Sequence, residues 1–361
     1  TQKELAVETG VAQAAISRIE NGTKDVLSQE EIQSIARTLA FPVSFFYEQE
    51  PLYRKPLSLH SAAFRKKAAV SVKDQDAVVS LANHYVFHFR RLLDAVDLEP
   101  QFPLLQFEVV RDKTSVSEHA DGVTSASEAA KKVRASWQLD DGPIANLVRY
   151  VEATGVLVVE GQFGGADIDG ITLRPAGMKP LVVLNRDRPV DRKRFSLAHE
   201  FGHVVLHPFP YDAMEKEANE FAAELLMPRE GVLPDLKRGI SIPRLGQLKT
   251  KWRVAMSALI YRSRSLGAIS DQAAVSLYKK MSMYGYRTRE PEEFDLQPET
   301  GKLAPQLVDI HLSDLGYSLE ELSEGLRTNP LEFAEMHGLK VPAEQLRLNE
   351  KPKLRLVASR D

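Results

Sequence analysis

The chain has 361 residues, 43% of them hydrophobic and 27% charged, the composition of an ordinary soluble protein with length for two or three domains. Its 47 Lys and Arg against 50 Asp and Glu give a net charge of -3, which excludes a chain coated in basic residues while leaving room for a local basic face. The absence of cysteine excludes disulfides, no apolar run approaches the ~20 residues a bilayer requires, and no signal-peptide pattern opens the chain, so a cytoplasmic protein without a membrane partner is expected.

Residues 1–46 read as a short helical module. Thr1 is a good N-cap for a helix ending at Gly10, and a second helix, from about Ala12 to Asn21, turns Ile16 and Ile19 inward with Gln13, Ala14, Ser17 and Arg18 outside. This spacing is that of a helix-turn-helix, whose second helix enters the major groove. The pattern Thr-Gln-Lys-Glu-Leu-Ala, Gly-Val, Ile-Ser-Arg-Ile-Glu-Asn-Gly resembles the Xre/Cro/phage-repressor type of DNA-binding domain. The resemblance implies that Gln13, Ala14 and Ser17 face base edges, with Arg18 beside them, and that Gln2, Asn21 and Lys24 approach phosphates. It also implies a helix ahead of Thr1 that is absent from this sequence. With few basic residues in the module, operator binding is expected to need a homodimer. A third helix opens at the capping box Ser28 to Glu31, and 41–46 supply aromatic packing.

Pro51 and Pro56 mark a linker. Residues 59–140 read as mostly helical, with one long amphipathic helix over 74–97, a loop over 99–121 and a helix over 127–137 that places Trp137 in the core. His84 and His88 share a face but lack a third ligand, so they read as half-buried helix histidines, and 64–67 as a small basic surface cluster.

A helix starting at Pro143 and three short strands, 155–159, 168–173 and 181–184, precede the most informative stretch, Arg194-Phe-Ser-Leu-Ala-His199-Glu200-Phe-Gly-His203. On a helix His199 and His203 share a face and can hold one Zn²⁺, with Glu200 beside the water that a catalytic zinc carries. A third protein ligand is needed, and the next helix offers it. Glu215 lies on the face of Ala218, Ala222 and Leu226, whereas Glu217 shares its side with Glu220 and Glu224 as a solvated stripe. Glu215 is therefore the expected ligand, Glu217 and His207 remain open, and Asn219 is placed to hydrogen-bond a zinc histidine. The first block and a second, Glu-x-Glu-Ala-Asn-x-Phe-Ala-Ala-x-Leu-Leu-Met-Pro, together resemble the ImmA/IrrE family of zinc metallopeptidases over about 145–262. That resemblance implies zinc on His199, His203 and Glu215, Glu200 as catalytic base, and a DNA-binding repressor as substrate, cut in response to stress.

Further on, 245–262 reads as a helix-turn-helix-like pair made basic by Lys249, Lys251, Arg253, Arg262 and Arg264, with packing against the peptidase core favoured over nucleic-acid binding. A last helical segment spans 306–339. The fold class expected is α+β and predominantly helical. The expected division is 1–50 helix-turn-helix, 51–140 helical connection, 141–235 zincin-like domain with a small mixed sheet, and 236–361 helical region. Two functions fit: a DNA-binding regulator carrying a zinc endopeptidase, or a non-proteolytic regulator or antitoxin in which the zinc fold is sensor or scaffold.

Overall fold

The computed structural model describes residues 1–23, 27–47, 71–109, 121–123 and 125–339; Lys24, the linker prolines Pro51 and Pro56, and the basic cluster at 64–67 lie outside them. The chain forms two compact units, one of Thr1–Leu52 with Leu307–Asp361 and one of Tyr53–Gln306. The helices that follow the peptidase-like motifs up to residue 283 thus belong with those motifs, and the last helices belong with the N-terminal module.

In the first unit, α1 (Gln2–Thr9) is closed by a capping box between Thr1 and Glu4 and ends at Gly10, whose φ of 73° suits glycine. Helix α2 (Gln13–Glu20) follows after three residues, and α3 (Gln29–Leu39) opens with the Ser28–Glu31 capping box. Val11, Ala15, Ile16 and Ile35 form the small core, with Leu5, Ala6, Leu27 and Phe46 packed on it. Ile19, expected inside, is only half-buried.

The second unit starts with α4 (Val72–Leu93), shorter at its C-terminal end than the sequence pattern suggests. Two short parallel strands, β1 (Phe107–Val109) and β2 (Asp121–Val123), lie where a loop was expected. Helix α5 (Ala126–Ser136) follows, and then α6 (Leu147–Glu152). Helix α6 begins four residues beyond Pro143 because Asn146 is its cap, accepting from Arg149 N, while a Glu299 oxygen takes Leu147 N at 2.7 Å.

Strands β3 (Leu157–Gly161), β4 (Gly170–Leu173) and β5 (Leu181–Asn185) form one sheet in the order β3-β5-β4, with β3 parallel and β4 antiparallel to β5. Helix α4 attends β3: Tyr85 donates its hydroxyl to Glu160 O at 3.0 Å, and a Cβ on Gly161 would come within 2.6 Å of Leu81. Strand β4 is the other edge. Beyond the sheet run α7 (Val190–Leu206), α8 (Met214–Leu226), α9 (Arg229–Leu236), α10 (Ile242–Trp252), α11 (Met256–Ser265) and α12 (Asp271–Met283). A continuous core joins them, and within it Trp137 is sandwiched between Tyr150 and Phe201, with Phe221 next in the column. Two of those rings belong to α7 and α8, so the pair of helices that carries the motifs is anchored in the centre of the unit.

The basic residues of α10 and α11 are engaged in ion pairs, with Lys249 and Arg262 buried and Lys251 half exposed. Lys249 sits between Asp191 at 2.5 Å and Glu290 at 2.8 Å, Lys251 meets Asp235 at 2.6 Å, Arg253 meets Glu299 at 3.3 Å, and Arg262 pairs with Glu224. That arrangement matches packing on the peptidase core. Helix α13 (Leu303–Asp309) spans the division at residue 306, and α14 (Leu319–Gly325) and α15 (Pro330–His337) complete the first unit. Asn329, the cap of α15, also donates to Ala40 O at the end of α3 across 2.8 Å. Among the described residues no helix is long and apolar enough to cross a membrane.

Candidate metal centre

Helix α7 carries His199, Glu200 and His203 on its inner half, and α8 crosses it closely because Gly202 has no side chain. A Cβ there would stand 3.0 Å from Phe221 Cδ1 and 3.4 Å from Ala218 Cα. This approach brings Glu215, in the first turn of α8, over the two imidazoles. Nε2 of His199 and Nε2 of His203 are 3.0 Å apart, and the Glu215 carboxylate lies 3.5 Å from the first and 3.6 Å from the second. All three ligand atoms fall within 4.8 Å of one another, the only such cluster of three among the described residues.

The spacing fits a metal. Ligand atoms about 2.0–2.1 Å from a tetrahedral zinc stand roughly 3.3–3.4 Å apart, and two nitrogens with one carboxylate oxygen form a donor set that leaves one position open. Burial works against a charge on His199, yet the hydrogen bond to Glu215 and the charges of Glu200 and Glu215 outweigh it and hold its pKa above the ordinary value.

Asn219 is one turn beyond Glu215. Its Nδ2 donates to Glu215 O at 2.7 Å, which turns Oδ1 toward His199 Nδ1 at 3.2 Å. Because an amide oxygen only accepts, the hydrogen of His199 sits on Nδ1 and the lone pair on Nε2 faces the cluster. Glu200 is buried, with Oε2 held at 2.7 Å by the hydroxyl of Thr172 on β4. Arg174, just past the end of that strand, donates to the carbonyls of His203 and Val204. Val204 O would otherwise lack a helical donor, because the residue four positions on is Pro208. Burial without an acidic partner pushes the Arg174 guanidinium down to about 10.

Neither open alternative lies with the three. His207 Nδ1 contacts Nδ1 of His203 at 2.7 Å, on the far side of that ring, and its Nε2 faces Glu217 at 3.4 Å. The stripe of Glu217, Glu220 and Glu224 is not solvated. Glu217 also accepts from Tyr211, Glu220 accepts from Ser127, and Glu224 pairs with Arg262. The helical period identified the shared side correctly, but α5 and α11 cover it. Thr172 and Arg174 as partners of the centre are what sequence reasoning missed; Tyr211 was marked only by its nearness to the motif.

On the N-terminal module, Gln13, Ala14, Arg18 and Asn21 are exposed, and Gln2 and Ser17 half-exposed. Gln13 Nε2 donates to Gln2 Oε1 at 3.2 Å, so the start of α1 holds the start of α2.

An N-terminal helix-turn-helix and a mostly helical α+β domain with a two-helix His, His, Glu cluster define a DNA-binding regulator that carries a metallopeptidase-type domain. Residues 151–264 match the IrrE N-terminal-like domain of peptidase family M78, and residues 1–46 match the helix-turn-helix family. The chain joins a domain of each. A search of curated proteins gave no match.

Proposed function

We propose that this chain is a DNA-binding regulator whose M78 domain is a zinc-dependent endopeptidase acting on a regulatory protein of the repressor type. The observation that supports this most is the convergence of His199, His203 and Glu215 with buried Glu200 alongside. In this reading His199 and His203 give Nε2, and Glu215 gives a carboxylate oxygen, to Zn²⁺. Bound there, zinc supplies Lewis acidity that acidifies water and polarises a peptide carbonyl. Glu200 takes a proton from the attacking water and delivers it to the departing amine nitrogen. Thr172 fixes the plane of that carboxylate, and Asn219 fixes the His199 ring.

Strand β4 favours an extended chain as substrate. It is an edge of its sheet, and its Thr172 touches Glu200, so a peptide added along that edge passes the base. The helix-turn-helix brings the domain to an operator, where repressors are found, and a homodimer would read two half-sites.

Glu200→Gln decides the matter. It is expected to keep stoichiometric zinc and lose cleavage of a helix-turn-helix repressor from the same genome. Undiminished cleavage by the fully loaded variant would rule out this role for Glu200. Loss of operator binding alone would leave the peptidase reading standing.

A further inference from the structure

Among the buried polar groups that hydrolysis does not use is the chain of side chains behind His203. His207 is 1% exposed and Glu217 9% exposed, and burial of such groups is costly unless their hydrogen bonds are matched. Their contacts run in one line from Tyr211 to His203. Glu217 accepts from the Tyr211 hydroxyl at 2.5 Å and faces His207 Nε2 at 3.4 Å. A carboxylate has nothing to donate, so His207 carries its hydrogen on Nε2, and the Nδ1 of a neutral ring is then an acceptor. The 2.7 Å contact between the two Nδ1 atoms is consequently made by the hydrogen of His203. His203 Nε2 is left with its lone pair, aimed at the same point as the lone pair that Asn219 sets on His199.

We propose that His207 and Glu217 are positioning residues for the metal centre. They fix the tautomer and ring plane of His203, with Tyr211 holding Glu217 in place. The two ligand histidines are thus set by unlike devices: an amide one turn along α8 for His199, and a buried imidazole–carboxylate pair for His203. This inference rests on the zinc-site reading above.

The test is zinc affinity of the full chain, measured by competition with a chromogenic chelator, beside the thermal midpoint of the metal-free protein. His207→Leu removes the acceptor, whereas His207→Asn keeps an oxygen close to the position of Nδ1. The leucine variant is expected to bind zinc roughly 10–100-fold more weakly than wild type, and the asparagine variant to recover most of that loss. Glu217→Gln is expected to weaken zinc by about 10-fold and Tyr211→Phe by less, with the metal-free midpoint little changed. Equal loss in His207→Leu and His207→Asn would mean that the ring only fills space, and overturns the proposal. If His207→Leu fails to fold, an unchanged affinity in Glu217→Gln overturns it as well. Wild-type protein that binds no zinc defeats the site reading itself, whereas tight wild-type binding lost in His199→Ala but retained in His207→Leu defeats only the relay.

Discussion

The hydroxyl of Thr172 donates to Oε2 of Glu200 across 2.7 Å, joining an edge strand to the helix that carries both histidines. Thr172 is fully buried, and Val has nearly its shape, so Thr172→Val removes the donor without opening a cavity. A buried carboxylate oxygen that loses its partner costs about 1–3 kcal/mol. Zinc content should be unchanged, because no ligand atom is touched. Cleavage should fall about 10-fold as the base loses its fixed plane. Equal kcat/KM in the two proteins would show that the contact does not orient Glu200.

Gly202→Ala tests the approach of α7 and α8. Alanine favours a helix over glycine by about 1 kcal/mol, but the added methyl meets Phe221 at 3.0 Å and the backbone of Ala218 at 3.4 Å. Overpacking of this kind costs about 1–3 kcal/mol, so the net effect is a small destabilisation. The larger effect is on zinc, because any shift of α8 moves Glu215 away from both imidazoles. Chelator competition should show weaker binding alongside a nearly unchanged urea midpoint.

Helix α7 is also tied at its other end. Arg194, 4% exposed, pairs with Glu299 and donates to Ile144 O, while Glu299 accepts from Leu147 N and meets Arg253. Glu299→Ala strands a buried guanidinium and an N-terminal amide of α6 together, a loss of about 3–5 kcal/mol. Glu299→Gln, which keeps an acceptor for Leu147 N, should lose less. Urea unfolding of the two variants against wild type measures the difference.

The convergence of His199, His203 and Glu215 was legible in the sequence because its geometry is local. Four residues on a helix set His199 over His203, and the apolar face of α8 singled out Glu215. What the sequence hid joins positions far apart: Thr172 and Glu200 are separated by 28 residues, and Arg194 and Glu299 by 105. Periodicity gives a side chain's face but not what covers that face, which is why Glu217 and Glu224 read as solvated. Helix α12 was overlooked although Ser270 caps it by accepting from Ala273 N. Its exposed Val275 and Met283 dilute the apolar stripe that would have marked it.

On the DNA side, α1 and α2 present two kinds of residue. Gln13 is exposed and steadied by Gln2, a posture suited to a base edge, whereas Arg18 is exposed with its Nε on Ala14 O at 3.1 Å. Gln13→Ala should cost about 1–3 kcal/mol on a preferred operator and little on unrelated DNA. Arg18→Ala should weaken binding to every sequence and flatten the salt dependence by about one unit of slope. Titrations of both variants at several salt concentrations separate the two. If Gln13→Ala weakens operator and unrelated DNA alike, it has no reading role.

Glu152 predicts a pH dependence within the peptidase-containing unit. Its two oxygens accept from Lys302 N at 2.8 Å and Leu303 N at 3.2 Å, at the start of α13. Burial nevertheless prevails over those hydrogen bonds and pushes its pKa from 4.5 up to about 7. An acid whose pKa is raised by folding holds more protons in the native chain than in the unfolded one between those two values. Stability from this group is therefore fully present below pH 4.5 and is lost as pH rises through about 7. Glu152→Gln stays neutral throughout, so wild type should lose ground to it by on the order of 2–3 kcal/mol between pH 5 and 8. Urea midpoints of the two chains measured across that range give the difference directly. Parallel curves would mean that the paired backbone amides, rather than burial, set the ionisation of Glu152.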